Sequence, residues 1–112
     1  MAKKECVIPD VIQREIEVTV QAFNSKYLAK SESKYAARIQ GKYIYLSYRH
    51  PDGECDNVCR LTYNGDIKDL DFAIFKYSSE KYDPTECFFP GQQCVNGAME
   101  GAMKAGLKAY PV

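Results

Sequence analysis

KYAARIQGKYIYLSYRH, residues 34–50, decides how this chain folds. Apolar and polar side chains alternate on both sides of Gln40-Gly41, which is the two-residue period of a half-buried strand. Gly41 supplies the positive φ that a tight antiparallel hairpin demands, so the stretch predicts strands at 35–39 and 43–49. On the second strand Ile44, Leu46 and Tyr48 share one face, and Tyr43, Tyr45, Ser47 and Arg49 share the other.

The pattern continues downstream. HPDGECDN, residues 50–57, carries Pro51, Asp52 and Gly53 and reads as a loop with a turn. VCRLTY, residues 58–63, is a third strand; Asn64-Gly65 marks a turn, and LDFAIFKYS, residues 70–78, is a fourth strand. Cys59 is in phase with Leu61 and Tyr63, as suits a small buried hydrophobe, whereas Cys55 falls in the loop. In the fourth strand Leu70, Phe72 and Ile74 face one way and Ala73, Phe75 and Tyr77 the other. A sheet with one face in water alternates more cleanly, so the second face is expected to be covered at least in part. The candidates are the segment 80–93, the C-terminal helix, or another copy of the chain. Tyr82, Phe88 and Phe89 predict that this segment is an ordered aromatic loop pinned to the sheet.

Upstream, Ile12, Ile16, Val20, Phe23 and Tyr27 recur at spacings of three and four and predict an amphipathic helix from Pro9 to Leu28. Ile16, Val18 and Val20 also alternate, so IEVTVQAF as a strand is the competing reading. At the other end VNGAMEGAMKAGLKAY reads as a helix, with Asn96 as N-cap and Pro111 beyond it. Its glycines Gly97 and Gly101 leave a smooth surface able to approach a sheet. The fold class is therefore α+β, an antiparallel meander of three or four strands flanked by an N-terminal and a C-terminal helix.

The segments RIQGKYIYL, RLTYNGDIKDLDFAIFKYSSEKYDP, FFPG and GAMEGAMKAGLKAYP span most of the chain, and the text they form resembles a group of small uncharacterised prokaryotic proteins. The resemblance implies a stand-alone cytosolic domain and supplies no activity, ligand or catalytic residue. The order of elements is also similar to that of double-stranded-RNA-binding domains. Such domains grip phosphates with lysines that open the last helix, where this chain has Asn96, Gly97, Ala98, Met99 and Glu100.

Composition narrows the function classes. Hydrophobic residues make up 46% and charged residues 27%, far from a disordered chain, so residues 1–112 are read as one domain with residues 1–8 as a flexible arm. Fifteen basic residues cancel fifteen acidic ones, so nucleic-acid binding would need a local basic patch. The apolar run Cys6–Ile8 is too short for a signal peptide, and no segment approaches the roughly 20 apolar residues of a membrane span. A cytoplasmic protein without a cofactor is expected. Five cysteines, an odd count, are then better read as reduced thiols than as a disulfide framework.

Three kinds of site compete. A zinc centre would draw on Cys55, Cys59, Cys87 and Cys94, with His50 able to complete the set. The spacings leave three and six intervening residues, wider than the usual knuckle, and favour separate core and loop thiols. A nucleophilic Cys55 would have to use His50, the one histidine, and no base and orienter stand out by spacing. Asp52 and Glu54 read as solvated loop charges, and no phosphate-binding glycine loop is present in the sequence. The third candidate is an aromatic and basic sheet face built from Tyr43, Tyr45, Arg49 and Arg60, with Thr62 beside them. Tyrosines next to arginines suit protein interfaces and also stack bases. The expectation is a non-catalytic binding module that associates with itself as a homodimer or with another protein. Nucleic acid is the alternative partner, and a thiol or metal protein is the third class.

Overall fold

The computed structural model describes residues 8–84 and 91–110. Helix α1 (Asp10–Tyr27) precedes five strands, β1 (Lys34–Gln40), β2 (Tyr43–Arg49), β3 (Cys55–Thr62), β4 (Asp71–Lys76) and β5 (Lys81–Asp83). A short 3₁₀ turn (Gln92–Cys94) and helix α2 (Met99–Ala109) follow. The strands form one antiparallel sheet in sequence order. The class is α+β as the sequence predicts, but the sheet has five strands rather than three or four. The extra strand, β5, lies where an aromatic loop is expected, because Tyr82 and Asp83 pair with Phe75 and Ile74. Residues 85–90, with Cys87, Phe88 and Phe89, lie outside the described residues, as do 1–7.

The hairpin forms as its alternation dictates. Gly41 sits at φ 62°, Gln40 pairs with Tyr43, and the register runs back to Lys34 opposite Arg49. Between β2 and β3 the register slips: Leu46 faces Cys59 but Ser47 faces Asn57, which leaves Val58 as an extra residue. This bulge buries Val58 and Cys59 together, which strict alternation forbids. It also carries β3 back to Cys55, so Cys55 is an exposed strand residue opposite Arg49 and not a loop residue. Beyond Cys59 and Ile74 the β3–β4 ladder stops. Two tyrosines bond carbonyls there: Tyr77 donates to the Asn57 carbonyl at 2.7 Å, and Tyr110 donates to that of Phe75. Their rings meet edge-on at 5.4 Å.

Both helices cover the face of Tyr35, Ile44, Leu46, Tyr48, Cys59 and Leu61. From α1 come Ile16, Val20 and Phe23, with Ile12 half-buried; Tyr27, placed on the same stripe by its spacing, is 39% exposed. Val18 is 67% exposed, and it is the residue that the competing strand pattern would have grouped with Ile16 and Val20. Ile8, assigned to the flexible arm by the sequence, is buried, and its carbonyl accepts a 2.9 Å bond from the Gln13 amide. Helix α2 starts after Ala98 rather than Asn96; the Asn96 side chain instead accepts a bond from the Ala98 N–H at 3.1 Å. Of its glycines, Gly106 makes the close approach to the sheet, against Tyr35 and Val58. Gly101 faces Asn96 and the Cys94 carbonyl, and Gly97 lies in the preceding turn. Among the described residues no helix is long and apolar enough to cross a membrane.

Two core tyrosines fasten α2 to the sheet. Tyr35 and Tyr48 are register partners whose rings lie 4.9 Å apart. Tyr35 donates to the Met103 carbonyl at 2.7 Å, and Tyr48 shares its one hydroxyl proton between the carbonyls of Tyr110 at 2.6 Å and Gly106 at 3.2 Å. Burial pushes the Tyr48 hydroxyl up to about 12 and that of Tyr35 higher still. The folded chain therefore keeps these protons after the unfolded chain, whose tyrosines titrate near 10, has lost them. Their stabilisation is complete below about pH 10 and declines between about pH 10 and 12, by about 1.4 kcal/mol per pH unit for each tyrosine. Thermal midpoints measured from pH 8 to 12 are expected to fall over that window, and Tyr48→Phe is expected to flatten the fall; a flat native profile would refute the linkage.

Candidate functional site

Alternation on β1, β2 and β3 places one set of side chains on the sheet face opposite the helices. These are Lys34, Ala36, Arg38 and Gln40 on β1, Tyr43, Tyr45, Ser47 and Arg49 on β2, and Cys55, Asn57, Arg60 and Thr62 on β3. None of them is a carboxylate, although the whole chain has as many acidic as basic residues. The first acid on this face is Asp71 on β4, opposite Thr62, and it accepts a 2.8 Å bond from the Asn64 amide.

The register builds a stacked cluster at the centre of this face. Tyr45 lies opposite both Arg38 and Arg60. The Arg38 guanidinium sits 4.4 Å from the Tyr45 ring centroid, and the Arg60 guanidinium 4.9 Å from Tyr43 and 5.4 Å from Tyr82. The rings continue the row, with Tyr43 6.1 Å from Tyr45, Tyr45 5.5 Å from Tyr82, and Tyr82 4.9 Å from Phe75. Toward β5 the face is closed, since Ala73 and Phe75 are buried; toward β1 it opens, with Tyr43, Tyr45 and Arg60 half-buried and Arg38 exposed. Burial pushes the Tyr82 hydroxyl up from its ordinary value, partly offset by Arg38 and Arg60. No ion pair among the described residues uses these arginines. Arg60 Nε is buried without a hydrogen-bond acceptor, so it is the ring faces that hold this side chain.

Three of the four residues expected on the binding face, Tyr43, Tyr45 and Arg60, come together. Arg49 is exposed on the same face but at the far end of β2, beside His50, and takes no part in the cluster. Its place is taken by Arg38, which the sequence did not single out. The signal was there, because a two-residue turn at Gly41-Lys42 pairs residues whose numbers sum to those of Gln40 and Tyr43, hence Arg38 with Tyr45. That count also brings Ser33 to His50. Ser33 Oγ lies 2.5 Å from His50 Nδ1, and His50 Nε2 lies 2.8 Å from Asp56 Oδ2.

The described thiols, Cys55, Cys59 and Cys94, sit in three different environments. Cys59 is fully buried and burial pushes its thiol well up, which opposes the thiolate that metal binding or nucleophilic attack requires. Cys55 is exposed on β3, Cys94 is half-buried in the 3₁₀ turn, and Cys87 lies outside the described residues. Among the described residues no group of three His, Cys, Asp or Glu side chains could hold a metal ion. His50 is engaged by Ser33 and Asp56 rather than by Cys55. Comparison with protein-family models, with curated proteins and with solved structures finds no match to this chain.

Proposed function

We propose that this chain is a small cytoplasmic binding module whose open sheet face takes single-stranded nucleic acid. The observation that carries the reading is the carboxylate-free face of β1–β3, on which Arg38 and Arg60 stack against Tyr43, Tyr45 and Tyr82 without ion-pair partners among the described residues. Bases splayed from a single strand stack on tyrosine and guanidinium planes, while arginines meet the phosphates. A duplex hides its base faces, and a sheet of this breadth enters neither groove. A cytoplasmic setting is supported by the unpaired thiols Cys55, Cys59 and Cys94. Kinship with the small uncharacterised prokaryotic proteins remains part of the proposal and adds no activity to it.

Self-association through this face is the weaker reading. A two-fold contact would set the same arginine-bearing surface against itself with no acid on β1–β3 to meet it. The test is fluorescence anisotropy of a labelled single-stranded oligonucleotide titrated with the protein. With Arg38 and Arg60 engaged, affinity is expected to fall roughly sevenfold between about 50 and 200 mM salt. Absence of binding at the lower salt would overturn the reading. A dimer seen by light scattering together with that absence would return the face to self-association.

A further inference from the structure

The chain's one histidine stands at the end of β2, where the hairpin register sets it beside Ser33 at the start of β1. We propose that Ser33, His50 and Asp56 form a nucleophilic serine site that accepts the acyl group of a small carboxylic ester. A carboxylate only accepts hydrogen bonds, so the 2.8 Å contact with Asp56 Oδ2 places the ring proton on Nε2. With its proton on Nε2 the ring presents a bare Nδ1, to which the Ser33 hydroxyl at 2.5 Å donates. Nucleophile, base and orienter are thus within hydrogen-bond reach of one another, with the two ring nitrogens exchanged relative to the serine protease arrangement.

The histidine side chain is 23% exposed and that of Asp56 is 59% exposed, so the base is sheltered while its orienter meets solvent. Of the three, His50 lines a cleft of about 570 Å³ between α1 and β1, together with Glu17, Asn24, Lys34, Arg49 and Pro51, while Ser33 and Asp56 are not among its lining residues. A volume of this size suits a small ligand. Lys34 is committed, since its ammonium caps the end of α1 by donating to the Leu28 and Ser31 carbonyls. The Ser33 N–H is committed too, at 3.1 Å from Ser31 Oγ. Arg49, which lines the same cleft beside His50, is therefore the cation left to face negative charge developing next to that ring.

The step is acyl transfer. Ser33 Oγ adds to the ester carbonyl carbon as its proton passes to His50 Nδ1. The tetrahedral adduct expels the alkoxide, which takes that proton and leaves as the alcohol, so the product is acyl-Ser33. Water activated by the same nitrogen then releases the carboxylic acid and restores the hydroxyl. With the Ser33 N–H engaged and not free to bind the oxyanion, both acylation and hydrolysis are expected to be slow.

Treating the full chain with p-nitrophenyl acetate and mapping the adduct by peptide mass spectrometry tests the proposal. One acetyl group on Ser33 is expected, lost in Ser33→Ala. Asp56 acts as a positioning residue, and Asp56→Asn is expected to slow labelling by about tenfold or more with the thermal midpoint unchanged. Nitrogen NMR of the single imidazole gives a readout on the native chain itself. It is expected to show the proton on Nε2, and Asp56→Asn to remove that preference. Acetylation spread over lysines and tyrosines and unaltered in Ser33→Ala, or a native ring protonated on Nδ1, would overturn the assignment.

Discussion

The double substitution Arg38→Glu with Tyr45→Ala is expected to weaken binding of a single-stranded oligonucleotide roughly 100-fold. Loss of one stacking platform costs about 1–3 kcal/mol, and every 1.4 kcal/mol is about tenfold in affinity. Reversing Arg38 removes a phosphate contact and sets a carboxylate in its place, so the salt dependence should also become shallower. Both side chains can be changed without opening the core: Arg38 is exposed and Tyr45 half-buried, and both lie on the sheet face away from the helices. Circular dichroism is therefore expected to stay native. An unchanged dissociation constant in a folded double variant would mean that this face is not the binding surface.

Gly106→Val is expected to destabilise the fold by about 3 kcal/mol or more, the upper end of the usual cost of overpacking. A Cβ at this position would meet the Tyr35 hydroxyl and Val58 Cγ1 at distances no real contact shows. Neither neighbour can step aside. Tyr35 is bonded to the Met103 carbonyl in the preceding turn of the same helix, and its ring packs against Phe23 at 5.6 Å and Tyr48 at 4.9 Å. Val58 is fixed by the bulge between β2 and β3. In an exposed helix interior, replacing glycine normally gains up to about 1 kcal/mol, so a loss here isolates the packing effect. The comparison is Val18→Ala in α1, at an exposed position, which is expected to stay within about 0.5 kcal/mol of the parent. Urea midpoints compared among the three proteins decide it; a Gly106→Val chain as stable as the parent would show that α2 does not sit this close to the sheet.

Much of the site follows from arithmetic on the hairpin. Once Gly41 is taken as the turn, Tyr35, Ala37 and Ile39 must share a face with Ile44, Leu46 and Tyr48, and Arg38 must stand across from Tyr45. The prediction of Tyr43, Tyr45 and Arg60 as one group rests on that alternation. Arg49 was grouped with them because a face is read along a strand, but a cluster is built across strands, and Arg49 is four register pairs beyond Tyr45. Ser33 and His50 were legible by the same count. Asp56 was not, because its approach to His50 depends on the bulge that shifts β3 against β2, and a slip of one residue leaves no mark in a sequence that alternates imperfectly there.

What local sequence settled is periodicity: the helices, the hairpin, the order of the meander and which residues of a strand look the same way. Those follow from backbone geometry and turn chemistry, which act between near neighbours. Which sheet face receives the helices, where β5 pairs, and how near α2 approaches were settled by packing between residues far apart in the chain. β4 shows why, since Ile74 on one side and Ala73 and Phe75 on the other are all apolar and all buried, so hydrophobicity alone could not rank the faces. The choice rests on fit. Gly106 lets α2 settle where Tyr35 and Tyr48 can bond its carbonyls, and that docking leaves the arginines and tyrosines of β1–β3 on the opposite side.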